Sequence, residues 1–113
     1  MPKRISRHAL QRWMASERPP ILVEALGGGF YADAHLPGAV NMPPGRVDVL
    51  ASALLPDCSA DIVVYCTSTC TSSDAVARRL EELGYAAVAV YIGGKEEWAE
   101  HGLPLERLHS DAG

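Results

Sequence analysis

Residues 62–65 constrain the fold most, because the run Ile-Val-Val-Tyr is apolar and mostly β-branched, as in a strand buried on both faces. Similar runs at residues 21–23 and 88–91 predict two further strands. Helical periodicity lies between them, so strands and helices alternate along the chain. Such alternation places helices on both faces of the sheet. The sequence therefore predicts an α/β sandwich with a largely parallel sheet.

Apolar residues at i, i+3 and i+4 spacing predict the helices. Ser6 is a suitable N-cap for the first, and Gly84 is a suitable C-terminal stop for the third. In chain order, the residues expected on the apolar faces are Leu10, Trp13 and Met14; Val47, Leu50, Ala51 and Leu54; Val76, Leu80 and Leu83; and Trp98. A short extended segment is expected at residues 39–42.

Composition limits the functions that such a chain can have. At 113 residues and 48% hydrophobic content, one domain over residues 1–113 is expected. The net charge of −4 argues against a nucleic-acid partner, and the apolar runs are too short to span a membrane. A basic N-terminus without a following hydrophobic region, together with an odd number of cysteines, indicates a reducing, cytoplasmic location.

The segment that follows residues 62–65 is the strongest candidate for chemistry. It begins with Cys66 and continues to Ser73 with only Thr, Ser and Cys. Ligands of parallel sheets bind beyond the carboxyl ends of strands, where this loop lies. Loop amides and the N-terminus of the next helix would stabilise a thiolate and lower the pKa of Cys66. We therefore interpret Cys66 as a nucleophile.

Four motifs together resemble single-domain rhodanese-type sulfurtransferases over nearly the whole chain. They are His35-Leu36-Pro37-Gly38-Ala39-Val40-Asn41-Met42-Pro43; Val63-Val64-Tyr65-Cys66; Leu83-Gly84-Tyr85; and Gly93-Gly94 with Trp98, followed by Gly102-Leu103-Pro104-Leu105. Each motif is weak alone, but their order and spacing are specific.

The resemblance implies a rhodanese-like three-layer sandwich with a mostly parallel, five-stranded sheet. It also implies that Cys66 takes a sulfane sulfur from a donor, holds it as a persulfide and passes it to a thiol or protein acceptor. No cofactor is implied. The loop amides expected to surround the persulfide belong to Thr67, Ser68, Thr69, Thr71 and Ser72.

The loop departs from the family pattern where cations are expected. Thr67 and Thr71 stand where the family commonly has Arg, and Leu26 replaces a further Arg. Arg would bind a dianionic donor such as thiosulfate through paired hydrogen bonds, so thiosulfate is a doubtful donor. Of the remaining cations, Lys95 is the candidate for attracting an anion, because it follows Gly93-Gly94 near the strand ends.

Cys70 offers a second chemistry in the same loop. It is a candidate resolving thiol that would attack a Cys66 persulfide or sulfenic acid and close a disulfide, with a thioredoxin-like reductant as partner. It is equally well interpreted as an incidental small residue. A metal site is not expected, since two thiolates need two further ligands. Three hypotheses therefore stand: a sulfurtransferase, a thiol redox or sensor module using Cys66 and Cys70, and a non-catalytic binding domain.

Overall fold

Five parallel strands form one sheet in the structure, a computed structural model that describes residues 2–67 and 71–107. The strands are β1 (Lys3–Ile5), β2 (Ile21–Glu24), β3 (Val40–Asn41), β4 (Asp61–Tyr65) and β5 (Ala87–Tyr91). Their order across the sheet is β1-β5-β4-β2-β3, so β4 lies at the centre. Every pair of neighbouring strands in the described residues runs parallel. The expected five-stranded α/β sandwich is confirmed.

Helices cover both faces of this sheet. They are α1 (Arg7–Met14), α2 (Gly28–Asp33), α3 (Val47–Leu54), α4 (Ser72–Glu82) and α5 (Gly94–Glu100). α3 and α4 pack in one apolar core, whereas α1 and α5 pack in the other. α2 has no buried residue and follows the carboxyl end of β2.

The central strand β4 contributes to both cores, as its apolar sequence predicts. Ile62 and Val64 face the core of α3 and α4, whereas Val63 and Tyr65 face that of α1 and α5. All four side chains are fully buried. Because successive side chains alternate between the faces of a strand, Cys66 returns to the side of α3 and α4.

The predicted ends of two helices are confirmed. The Ser6 Oγ accepts a hydrogen bond of 3.2 Å from the Ala9 amide at the start of α1. Gly84 follows α4 with a φ of 104°, a conformation that favours glycine and ends the helix. The prediction for Leu83 is wrong: it is 38% exposed at the end of α4, whereas Val76, Ala77 and Leu80 form the buried face.

Candidate active site

Cys66 immediately follows β4 and lies almost completely buried, with 2% of its surface exposed. Its Sγ lies 3.4 Å from the Oγ of Ser73 and 3.4 Å from the carbonyl oxygen of Thr67, and either oxygen can accept the single proton of the thiol. The sulfur is therefore held between the start of the loop and the start of α4. This position is the carboxyl edge of the sheet, where the sequence places the site.

The first turn of α4 brings Ser73 to the sulfur. Ser73 is the second residue of α4 and is 5% exposed, on the same helix face as Val76, Ala77 and Leu80. Asp74, the next residue, points outward and forms an ion pair of 3.2 Å with Arg4. The Arg4 charge thus offsets an acidic group close to the positive end of the helix.

A fully buried carboxylate, that of Glu24, lies at the carboxyl end of β2, the strand next to β4. Its Oε1 accepts a 2.8 Å hydrogen bond from the Tyr65 hydroxyl, and its Oε2 lies 3.1 Å from the Lys95 Nζ. The Tyr65 hydroxyl in turn accepts from the Leu36 amide at 2.9 Å. Burial, followed by the Glu24 charge, raises the pKa of Tyr65 well above its usual value, so the hydroxyl stays protonated.

Lys95, the candidate for attracting an anion, has its ammonium held by three oxygens. Besides pairing with Glu24, its ammonium donates to the carbonyl oxygens of Phe30 at 3.1 Å and Ala34 at 2.6 Å. An ammonium has three protons, so these bonds occupy all of them. The ammonium therefore joins α5 to β2 and α2, and attraction of an anion by Lys95 remains a prediction. Its backbone amide also donates to the Cys66 carbonyl at 3.0 Å.

The other predicted site residues are only partly described. Thr67 and Ser72 are half-buried on either side of the loop, and Thr71 is exposed just before α4. Ser68, Thr69 and Cys70 lie outside the described residues. The cradle of loop amides and the pairing of Cys66 with Cys70 therefore remain predictions.

His35 and Trp98 pack within the fold, whereas Cys58 is exposed. His35 is buried, its Nδ1 lies 2.8 Å from the Tyr31 carbonyl oxygen, and its ring stacks on the Tyr31 ring at a centroid distance of 4.0 Å. Trp98 is buried in the core of α1 and α5 and donates to the Pro104 carbonyl. Cys58 is exposed in the loop before β4.

Sequence reasoning missed Ser73 and the pairing of Glu24 with Lys95. A signal for Ser73 was present, because residues 73, 76, 77 and 80 have the spacing of one helix face. The pair joins residues 71 positions apart, so no local pattern indicates it.

Residues 2–67 and 71–107 contain neither a metal-ligand cluster nor a membrane-spanning helix. Among these, no three His, Cys, Asp or Glu side chains are grouped so that they could hold a metal ion. No helix in the same residues is long and apolar enough to cross a membrane.

Comparison with known proteins agrees with this arrangement. The model of the rhodanese-like domain family matches residues 6–101, so the chain belongs to the rhodanese-like domain family. A search of curated proteins gave no significant match. Among solved structures, sulfurtransferases and rhodanese-like domains share the fold.

Three of these structures illustrate the likeness. A thiosulfate sulfurtransferase from Pseudomonas aeruginosa is 28% identical with a TM-score of 0.81; the match covers 93% of this chain but only 20% of that one. The rhodanese-like domain of an Anabaena protein is 28% identical over 100% of this chain and 87% of its own, with a TM-score of 0.77. A rhodanese with anions from E. coli is 25% identical over 78% and 98%, with a TM-score of 0.64.

Proposed function

We propose that this chain is a sulfurtransferase that carries sulfane sulfur as a persulfide on Cys66. One observation carries the proposal: the Cys66 thiol follows the central strand and lies against a hydroxyl at the start of α4. This edge of a parallel sheet is where ligands bind, and a thiolate beside a helix N-terminus is a stabilised nucleophile.

In the first step, the Cys66 thiolate attacks the outer, sulfane sulfur of the donor. A bond forms between Sγ and that sulfur, while the bond that held the sulfur in the donor breaks. The donor remnant leaves with the electron pair of the broken bond, as a thiolate from a persulfide donor or as sulfite from thiosulfate. The negative charge ends on the outer sulfur of the Cys66 persulfide.

In the second step, an acceptor thiolate attacks the outer sulfur. The bond between this sulfur and Sγ breaks, and its electron pair returns to Cys66 as thiolate. The acceptor leaves as a persulfide, and the chain is ready for another donor. Neither step needs an external oxidant or reductant, because sulfane sulfur is only transferred.

As the donor we propose a persulfide of a small thiol or of a protein, because it suits the charges of the site better than thiosulfate does. Thr67 and Thr71 offer hydroxyls where the family has guanidinium groups, and the Lys95 ammonium is already bonded to three oxygens. A dianion would therefore lack charge-assisted partners at these positions. For the acceptor we propose a thiol, either small or on a protein. We place the reaction in the cytoplasm, where thiols stay reduced.

The test is the intact mass of the protein after incubation with glutathione persulfide and removal of excess donor. Wild type and Cys58→Ser should each gain the mass of one sulfur atom. Cys66→Ser should gain none. Cys58→Ser is the matched control, because it removes an exposed thiol by the same substitution.

The same measurement separates the alternatives. Loss of two hydrogens in both wild type and Cys58→Ser, without a gain of sulfur, would indicate a disulfide between Cys66 and Cys70. Any sulfur loaded on Cys66 would then have left as sulfide, which would contradict its transfer to an acceptor. No change of mass in wild type would favour a non-catalytic binding domain. Loading that persists in Cys66→Ser would contradict the assignment of the nucleophile.

A further inference from the structure

We infer that Ser73 is a positioning residue for Cys66: its hydroxyl accepts a hydrogen bond from the thiol and donates one to the sulfur after ionisation. The inference rests on the proposed use of Cys66 as a nucleophile and adds a group that the loop motif does not include. It starts from the 3.4 Å contact between the Cys66 Sγ and the Ser73 Oγ.

The two oxygens near the sulfur differ in what they can do. The Thr67 carbonyl and the Ser73 hydroxyl both lie 3.4 Å from Sγ, but a thiol has a single proton to donate. Once that proton is lost, the carbonyl has none to offer. The hydroxyl can rotate and place its own proton on the sulfur. Of these two neighbours, Ser73 alone can therefore bind both protonation states of Cys66.

Burial makes a hydrogen-bond donor to the thiolate important. Cys66 and Ser73 are 2% and 5% exposed, so water has little access to a charge on the sulfur. A buried charge is costly unless hydrogen-bond donors replace the lost water. The N-terminal end of α4 contributes a favourable field, and the Ser73 hydroxyl, 3.4 Å from Sγ, can direct a proton at the sulfur.

The helix also prevents Ser73 from moving away. Val76, Ala77 and Leu80 anchor the same face of α4 in the core shared with β4, which fixes the direction of the Ser73 side chain. The hydroxyl is therefore already placed when the thiolate forms.

The contact favours sulfur release as well as loading. In the persulfide, the charge lies on the outer sulfur, so the hydroxyl interacts more weakly with Sγ. When the acceptor attacks, the charge returns to Sγ, and Ser73 again donates to it. A better stabilised thiolate is a better leaving group, so Ser73 assists the second step.

The test compares wild type with Ser73→Ala, Ser73→Thr and Ser52→Ala. Ser73→Ala removes the hydroxyl, and Ser73→Thr retains it. Ser52→Ala makes the same change on the exposed side of α3 and is the matched control. The rate of iodoacetamide alkylation at Cys66 is measured as a function of pH by peptide mass spectrometry, without a sulfur donor. The exposed Cys58 of each protein is the internal reference.

We expect the midpoint of the Cys66 profile in Ser73→Ala to move upward by about one pH unit, the size expected for losing one hydrogen bond to a charged group. Below the midpoint, this shift slows alkylation by roughly tenfold. Ser73→Thr should restore the wild-type midpoint. Ser52→Ala and all Cys58 profiles should stay unchanged.

Coincident profiles of Ser73→Ala and wild type would overturn the inference. A Ser73→Thr profile that follows Ser73→Ala would do the same, since the hydroxyl would then not be responsible. Equal changes in the alkylation profiles of Cys66 and Cys58 would indicate a general loss of structure and would also overturn the inference. Failure of wild type to load sulfur would refute the proposed function but would leave a Ser73-dependent shift intact, so the two ideas fail separately.

Discussion

Replacement of Lys95 by methionine tests whether the buried ion pair serves the fold or the reaction. Methionine keeps the long apolar stem of lysine but removes the ammonium. The fully buried Glu24 carboxylate then loses its cation, although the Tyr65 hydroxyl still donates to it at 2.8 Å. The carbonyls of Phe30 and Ala34 lose a donor as well.

The expected cost follows from the burial of both partners. The Lys95 side chain is 13% exposed and that of Glu24 is 0% exposed, so water screens the pair poorly. Removing one partner of a buried pair costs about 3–5 kcal/mol, because the remaining charge is left uncompensated. A domain has only about 5–15 kcal/mol of stability in total. At about 4 °C per kcal/mol, Lys95→Met should therefore lower Tm by roughly 12–20 °C.

The assay is thermal and urea unfolding of Lys95→Met and of a matched control, Arg4→Met. Arg4 also forms an ion pair, with Asp74 at 3.2 Å, but these two side chains are 60% and 38% exposed. Exposed pairs contribute about 0–1 kcal/mol, so Arg4→Met should change Tm by only a few degrees. The double variant Glu24→Gln/Lys95→Met removes the orphaned charge and should regain about 1–3 kcal/mol over Lys95→Met.

Equal losses of stability in Lys95→Met and Arg4→Met would refute this reasoning. So would a Lys95→Met protein that unfolds like wild type but requires a higher concentration of an anionic donor. That second result would restore Lys95 to the role of attracting an anion.

Three further outcomes can be measured on the same protein. Thr71→Arg should raise kcat/KM for thiosulfate by roughly tenfold or more through a charge-assisted hydrogen bond, and an unchanged value would contradict the importance of the missing guanidinium. Burial and the Glu24 charge raise the pKa of Tyr65 above 10.0, so the unfolded chain releases this proton at a lower pH than the folded chain does. The free energy of unfolding should therefore fall above pH 10.0, and urea titrations that show no fall would refute this. If Cys70 attacks a Cys66 persulfide, Cys70→Ser should lengthen its lifetime in time-resolved mass spectra, whereas equal lifetimes would make Cys70 a bystander.

The central part of the fold was predictable because its residue pattern is compatible with few arrangements of strands and helices. An apolar run such as β4 is stable only when helices cover both faces of the sheet, and the flanking segments have helical spacing. The cap at Ser6 and the stop at Gly84 followed from local backbone chemistry in the same way. In these segments, local pattern and tertiary packing agree.

Two elements were missed because tertiary contacts, rather than their own sequence, hold them. β1 is a largely exposed edge strand of Lys, Arg and Ile that pairs with β5, and it has no apolar alternation to detect. α2 begins with two glycines and buries no side chain. Bonds from the Lys95 ammonium to the carbonyls of Phe30 and Ala34 help to hold it, and these depend on a residue far along the chain.

The candidate site was predictable to the level of the loop but not to the level of individual contacts. The position of Cys66 follows from the strand before it. The hydroxyls after Cys66 look alike in sequence, and only the phase of α4 selects Ser73 as the one against Sγ. The partner of Lys95 could not be predicted either, because Glu24 lies 71 positions earlier in the chain.

Together, the positions of these charges determine which donors suit the site. The buried ammonium of Lys95 is balanced by Glu24, so the pair adds no net charge at this edge of the sheet. Hydroxyls occupy the positions at 67 and 71 where the family commonly has cations. A dianion entering such a site would lose its water without gaining a counter-charge there, whereas a donor with one charge or none would lose less. The proposed preference for persulfides over thiosulfate would therefore rest on charge rather than on shape, and Thr71→Arg should raise the use of thiosulfate without enlarging the site.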